Sequence, residues 1–213
     1  MLIAVPQFMS LKTFINRHEK LKKVVHWLLI PKGEARPRRW VSIFLNPFFH
    51  QKGRGVKVRR SVRWDVLPFN EMVIGDNTTI EDFSIINNGV GAVKIGARSL
   101  VGAGNVIIGP VTIGNDVIMA QHVVVSGLNH VYQDVHIPIR NQSVETSHIL
   151  IDDECWIGAN VVITAGTTIG KHCVIAAGSV VTRDIPAYCV AAGNPAKIIR
   201  RFDPQTNQWL REH

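Results

Sequence analysis

A period of six in the aliphatic residues constrains this 213-residue chain more than any other feature. Stepping by six from Ile95 meets Val101, Ile107, Ile113, Met119 and Val125, and stepping by six from Ile151 meets Ile157, Ile163, Ile169, Ile175 and Val181. A shorter frame, Ile74, Ile80 and Ile86, leads in. An α-helix repeats its faces every 3.6 residues and a flat strand every two, so neither yields a period of six. A chain that makes a short strand and then a corner every six residues does. The aliphatic points inward. The next residue, often small (Gly75, Gly96, Gly102, Gly114, Ala120, Gly158, Gly170, Ala176), lets the corner form. The fifth is usually small or β-branched (Ser84, Ser99, Val117, Val123, Cys155, Val161, Thr167, Cys173, Ser179) and fits a cramped interior. Three segments close a triangular coil, and stacked coils pair as parallel strands about 4.8 Å apart. The fold class is therefore mainly β, a parallel β-helix.

Two interruptions mark where chemistry belongs, because insertions in a solenoid become loops. Ile86 and Ile95 are nine apart, which places a small bulge at Asn87, Asn88, Gly89 and Gly91. Val125 and Ile151 are 26 apart, so a loop leaves the prism between about 126 and 148. That loop holds His130, His136 and His148 with Asp134 and Glu145. An imidazole titrates near neutrality and can take the proton of an alcohol as the alcohol attacks. Asn88, on the first bulge, and Asn105, polar at a fifth position, are candidates for contact with a substrate.

Charge is held unevenly. Residues 1–70 carry 15 Lys/Arg and 3 Asp/Glu (+12), and the remainder carries 9 and 13 (−4). Leu11, Phe14, Ile15, His18, Leu21, Val24, Val25 and Leu28 fall near helical spacing among lysines and an arginine, predicting a basic amphipathic helix closed by Pro31 and Gly33. Two readings of this third stay open: a helix packed on the first coil followed by a capping strand, or contact with an anionic membrane face or lipid-linked glycan. No nucleic-acid-binding module is recognisable. The three cysteines, Cys155, Cys173 and Cys189, fit neither a disulfide scaffold nor a zinc site, and Cys155 stacks on Cys173 eighteen residues on. With no leader pattern and no apolar run of spanning length, the expected location is cytoplasmic, at most peripheral at the inner membrane face.

Asn129-His130-x-x-x-Asp134 at the end of a hexapeptide run, then Trp156-Ile157-Gly158 and the stretch to Arg201, resembles the hexapeptide-repeat acyltransferases, specifically the acetyltransferases of sugars and xenobiotics. The resemblance covers Ile74 to about Arg201. It implies a left-handed β-helix, a hand that no periodicity supplies, over residues 71–192, after an N-terminal extension of residues 1–70 and before a tail of residues 193–213 ending in a short helix. It also implies acetyl-CoA as donor, a saccharide hydroxyl as acceptor, and a homotrimer with the donor in the groove between subunits. Carried over residue by residue, His130 is the catalytic base, Asp134 orients it, and Asn129 lies on the acceptor side. The Ala159 amide serves the thioester oxyanion, Ala177 and Thr182 hold the pantetheine, and Arg183, Lys197 and Arg200 face the phosphates. Some relatives have lysine where Arg183 stands.

Rival readings are an antibiotic or serine as acceptor, a γ-carbonic-anhydrase-like zinc enzyme and a silent scaffold. The zinc site is disfavoured because His130 and His136 are six apart rather than five, and Lys94 stands two coils before His130. No metal is expected.

Overall fold

The computed structural model describes residues 17–212. Its core is a left-handed parallel β-helix whose coils stack into three parallel ladders. The first face runs through Gln51–Lys52, Met72–Ile74, Val93–Ile95, Val111–Ile113, Ile149–Ile151 and Thr168–Ile169. The second runs from Lys57–Val58 through Thr79–Ile80, Leu100–Val101, Ile118–Met119, Trp156–Ile157 and Val174–Ile175 to Cys189–Gly193. The third runs from Arg63–Asp65 through Ile85–Asn87, Val106–Ile108, Val124–Ser126 and Val162–Ile163 to Val180–Val181.

Every aliphatic of the period-six frames is buried, from Ile74 to Val181, and so are the nine fifth-position residues. Fully burying one such aliphatic is worth roughly 1.5–3 kcal/mol, so the interior column is the main source of stability. Small polar fifth residues also satisfy carbonyls of the next coil: Ser84 Oγ donates to Gly102 O at 3.0 Å and Ser99 Oγ to Gly114 O at 2.9 Å. Cys155 occupies the same place, its thiol donating to Gly170 O at 3.2 Å, and Cys173 donates to Pro186 O at 2.9 Å.

All three cysteines are free, and Cys155 and Cys173 are structural fillers. Burial pushes the Cys155 thiol up to about 12 and the Cys173 thiol up to about 11. Both stay protonated when folded and ionise near 8.5 when unfolded, so they favour folding fully below that pH, and their contribution is lost as pH rises toward 11–12. At pH 8 a thiol reagent is expected to leave both unlabelled until urea unfolds the protein. Rapid labelling of the native chain would contradict the fillers' role.

The glycines after each aliphatic do a different job from the one the sequence suggests. They do not occupy the left-handed region. That conformation falls three residues before inward aliphatics of the second and third faces, as at Asn77, Asp116, His122, Asn160, His172 and Gly104, and on the first face at Gly166. The corner is thus made by residues that tolerate positive φ. Gly102 and Gly158 are needed for close stacking instead: a Cβ there would sit 2.7 Å from Ala120 O and 2.6 Å from Ala177 N of the next coil.

The coils also begin earlier than residue 71. Gln51–Lys52, Lys57–Val58 and Arg63–Asp65 pair in parallel with the following coil, so residues 51–65 of the supposed extension form the first coil. Lys52, Val58 and Trp64 keep the six-residue step, obscured because the open end tolerates a lysine where later coils bury isoleucine.

Before it lie helix α1 (Glu19–Leu29), a π-helical turn Val41–Leu45 and the short helix α2 (Asn46–Phe49). Leu11, Phe14 and Ile15 of the expected helix are outside the described residues. The tail forms no helix among the described residues: Ala196–Asp203 folds back antiparallel on Cys189–Gly193, and Gln208–Arg211 pairs with it in turn. The last coil leaves an open sheet edge, and pairing it satisfies backbone groups that a detached tail helix would leave bare.

Candidate active site

The long interruption folds as expected between Ser126 and Ile149. Leu128–His130 and Val144–Thr146 form an antiparallel hairpin, with His130 opposite Val144 and Asn129 opposite Glu145. Opposed residues share a face and neighbours alternate, so Glu145 lies on the Asn129 side, away from His130. The imidazole is exposed. Asp134 does not orient it within the chain: Oδ1 accepts the backbone N–H of His136 at 2.9 Å, closing an Asx turn that shapes the loop. His136 lines a shallow cavity with Tyr132, Val135 and Ile137. His148 Nε2 lies 2.9 Å from Thr112 Oγ1 on the first face. Among the described residues no three metal-ligating side chains converge.

Asn88 and Asn105 are fully buried, which removes them from any acceptor surface. Asn88 accepts from Leu67 N at 2.7 Å and donates to Leu67 O at 3.0 Å and Asn70 O at 2.7 Å, tying the 67–70 segment to the coil. Asn105 Oδ1 accepts from Val123 N at 2.6 Å.

The donor-side residues fall into two groups. Ala159 and Ala177 occupy the same corner, between the second and third faces, in successive coils. Among the described residues neither amide N–H enters a backbone hydrogen bond, leaving two donors in a row. On the second face, Lys197 lies opposite Ala192 and Arg200 opposite Val190. Spaced three apart, these cations would point to opposite faces of a regular strand. A bulge at this register shift inserts Ile199 and turns both outward. Arg200 continues, through Val190, an outward apolar ladder of Leu100, Ile118, Trp156 and Val174, in which Trp156 is 54% exposed.

Thr182 and Arg183 lie elsewhere, at the exposed turn between the third and first faces, the same corner from which the His130 hairpin leaves. One chain therefore does not gather Arg183, Lys197 and Arg200 into a single patch. Among the described residues none of the three is ion-paired.

Known proteins place this architecture. The family model described as bacterial transferase hexapeptide (six repeats) matches residues 148–183, and that described as hexapeptide repeat of succinyl-transferase matches residues 92–126, so the hairpin falls between them. In both repeat segments the chain resembles the hexapeptide-repeat acyltransferase family.

The chain is 46% identical over 113 residues to the polysialic acid O-acetyltransferase of Escherichia coli O1:K1, a match covering 51% of this chain and 36% of that protein. The crystal structure of the polySia-specific acetyltransferase NeuO superposes with a TM-score of 0.54 at 33% identity, over 71% of this chain and 63% of the other. An N-acyltransferase from Bacillus cereus, crystallised with coenzyme A and a dTDP-sugar, matches with a TM-score of 0.64 over 78% of this chain and 91% of its own; at 20% identity that likeness shows the fold. The chain spans 36% to 54% of the length of the first curated relatives it matches.

Proposed function

We propose that the chain is an acetyl-CoA-dependent O-acetyltransferase acting on a saccharide hydroxyl. The carrying observation is His130: the one long break in the repeat becomes a hairpin that presents an exposed imidazole. The saccharide class rests on the polysialic acid O-acetyltransferase among its relatives. In the reaction the acceptor oxygen attacks the thioester carbonyl carbon while His130 takes its proton. The Ala159 N–H stabilises the oxyanion as the C–S bond breaks, and the imidazolium returns the proton to the leaving thiolate, giving the ester and coenzyme A.

The division of donor residues between two regions favours a ring of copies. His130, Thr182 and Arg183 share one corner, whereas Ala159, Ala177, Lys197 and Arg200 belong to the opposite corner and its adjoining face. A head-to-tail contact that sets the first group of one copy against the second group of the next completes the site, and a three-fold rotation closes it. The exposed ladder through Trp156 supplies apolar surface for that contact.

A contact with a remote phosphate is made alike in ground and transition states. Lys197→Ala is therefore expected to raise KM for acetyl-CoA about tenfold or more with little change in kcat. Acetyl-pantetheine, lacking the phosphates, should barely distinguish the variant from wild type. Equal damage with both donors would move Lys197 from donor binding to assembly.

A further inference from the structure

Helix α1 is amphipathic, but its docking is inverted relative to an ordinary surface helix. Leu29 is its buried residue, and with Val25 and Lys22 it forms the side turned toward the protein. The opposite side carries Val24, Trp27 and Leu28, with Trp27 66% exposed. Ile43 and Phe44 of the following turn and Phe48 of α2 are exposed as well, Phe48 at 86%.

The helical segments are held in place. The backbone N–H of Arg38 donates to Leu29 O at 2.8 Å, and its guanidinium donates to Trp27 O at 3.2 Å while lying 5.8 Å over the Trp27 ring. His26 stacks on Phe69 at 5.2 Å, and Asn46 Nδ2 donates to Val66 O at 2.8 Å. Tethered aromatic and aliphatic groups in this number cost solubility unless something covers them.

Charge says what covers them. Arg54, Arg59 and Arg63 of the first coil, and Arg36 before it, are paired with Asp76, Glu81 and Asp65, which neutralises much of the basic third locally. Lys20, Lys22 and Lys23 on α1, with Lys32 and Arg39, have no ion-pair partner among the described residues. A second copy packed on this face by two-fold symmetry would bring like charges together. No helix among the described residues is long and apolar enough to cross a membrane.

We propose that α1 and the 41–49 helical segment form an interfacial anchor for an anionic phospholipid bilayer, with Val24, Trp27, Leu28, Ile43, Phe44 and Phe48 entering the headgroup boundary and the exposed Lys20, Lys23, Lys32 and Arg39 meeting lipid phosphates. An apolar stripe flanked by Lys and Arg is the pattern that lies in a membrane interface, and each basic residue near such a surface strengthens binding about fivefold.

The test is flotation of the full chain with vesicles of phosphatidylcholine alone or mixed with phosphatidylglycerol. Binding is expected to the mixed vesicles and to fall as salt rises. Trp27→Glu with Phe44→Glu should lower the partition at least tenfold. Lys20→Glu and Lys23→Glu together should lower it at least about twentyfold at low salt. Unchanged melting curves would show that these surface variants fold. Equal recovery with both vesicle types, or binding that survives the apolar substitutions, overturns the proposal. So does a drop in native mass on Trp27→Glu with Phe44→Glu in a protein that never floats, which would assign the face to contact between copies.

Discussion

Replacing His130 by alanine is expected to lower kcat for acyl transfer at least about a hundredfold while coenzyme A still binds, because a general base acts in the transition state and is worth roughly 10²–10⁴ in rate. The imidazole is exposed on the hairpin, so its loss costs the fold little. Activity is measured by thiol release with a saccharide panel, and coenzyme binding by calorimetry. Retained kcat would remove His130 from the chemistry. The two-group arrangement adds a sharper form of the test. In the proposed ring, copies mixed from His130→Ala and Lys197→Ala chains form some composite sites that take both residues from intact chains. At acetyl-CoA well below the KM of the Lys197→Ala parent, the mixture should therefore exceed the average of the two parents. A mixture no better than that average would place both residues in one chain's site.

The second large effect concerns stability. Asn88→Ala should destabilise the chain by about 2–4 kcal/mol, since it strips partners from Leu67 N–H and from the carbonyls of Leu67 and Asn70 where water cannot replace them. For a chain of this length that corresponds to a thermal midpoint lower by roughly 5–15 °C. KM for the acceptor should not change, because Asn88 is sealed inside the coil. A shifted acceptor KM with an unshifted midpoint would return Asn88 to the binding surface.

Asn88 illustrates what one chain's letters convey. The nine-residue step announces a bulge but not which way its asparagine points. Inward is decided by the 67–70 segment, which supplies backbone hydrogen-bond partners from 18 to 21 residues away. The carboxylate of Asp134 is a similar case: it lies four residues from His130, yet a nearer amide, that of His136, claims it. Lys197 and Arg200 were legible as late basic residues, but their common direction depends on a bulge that is visible only when Cys189–Gly193 and Ala196–Asp203 are paired.

The sequence by itself determined the interior. A period of six leaves one solution for burying its aliphatics, and every residue it assigned inward from Ile74 to Val181 is buried. The long loop followed from the same arithmetic, because a break in a strict repeat needs no knowledge of neighbours, whereas the choice of His130 among its three histidines came from the family resemblance. The ends were decided by tertiary structure. The first coil takes Lys52 where later coils take isoleucine because, among the described residues, no strand pairs with it on its outer side, and the tail becomes strands because an open sheet edge was waiting to be paired. The outward apolar face of α1 belongs to the same class: helical spacing shows that a stripe exists, but only docking through Leu29 shows that it faces away from the core. Local pattern fixes which residues share a face; which face meets what is set by contacts distant in sequence, whose energies no local pattern contains.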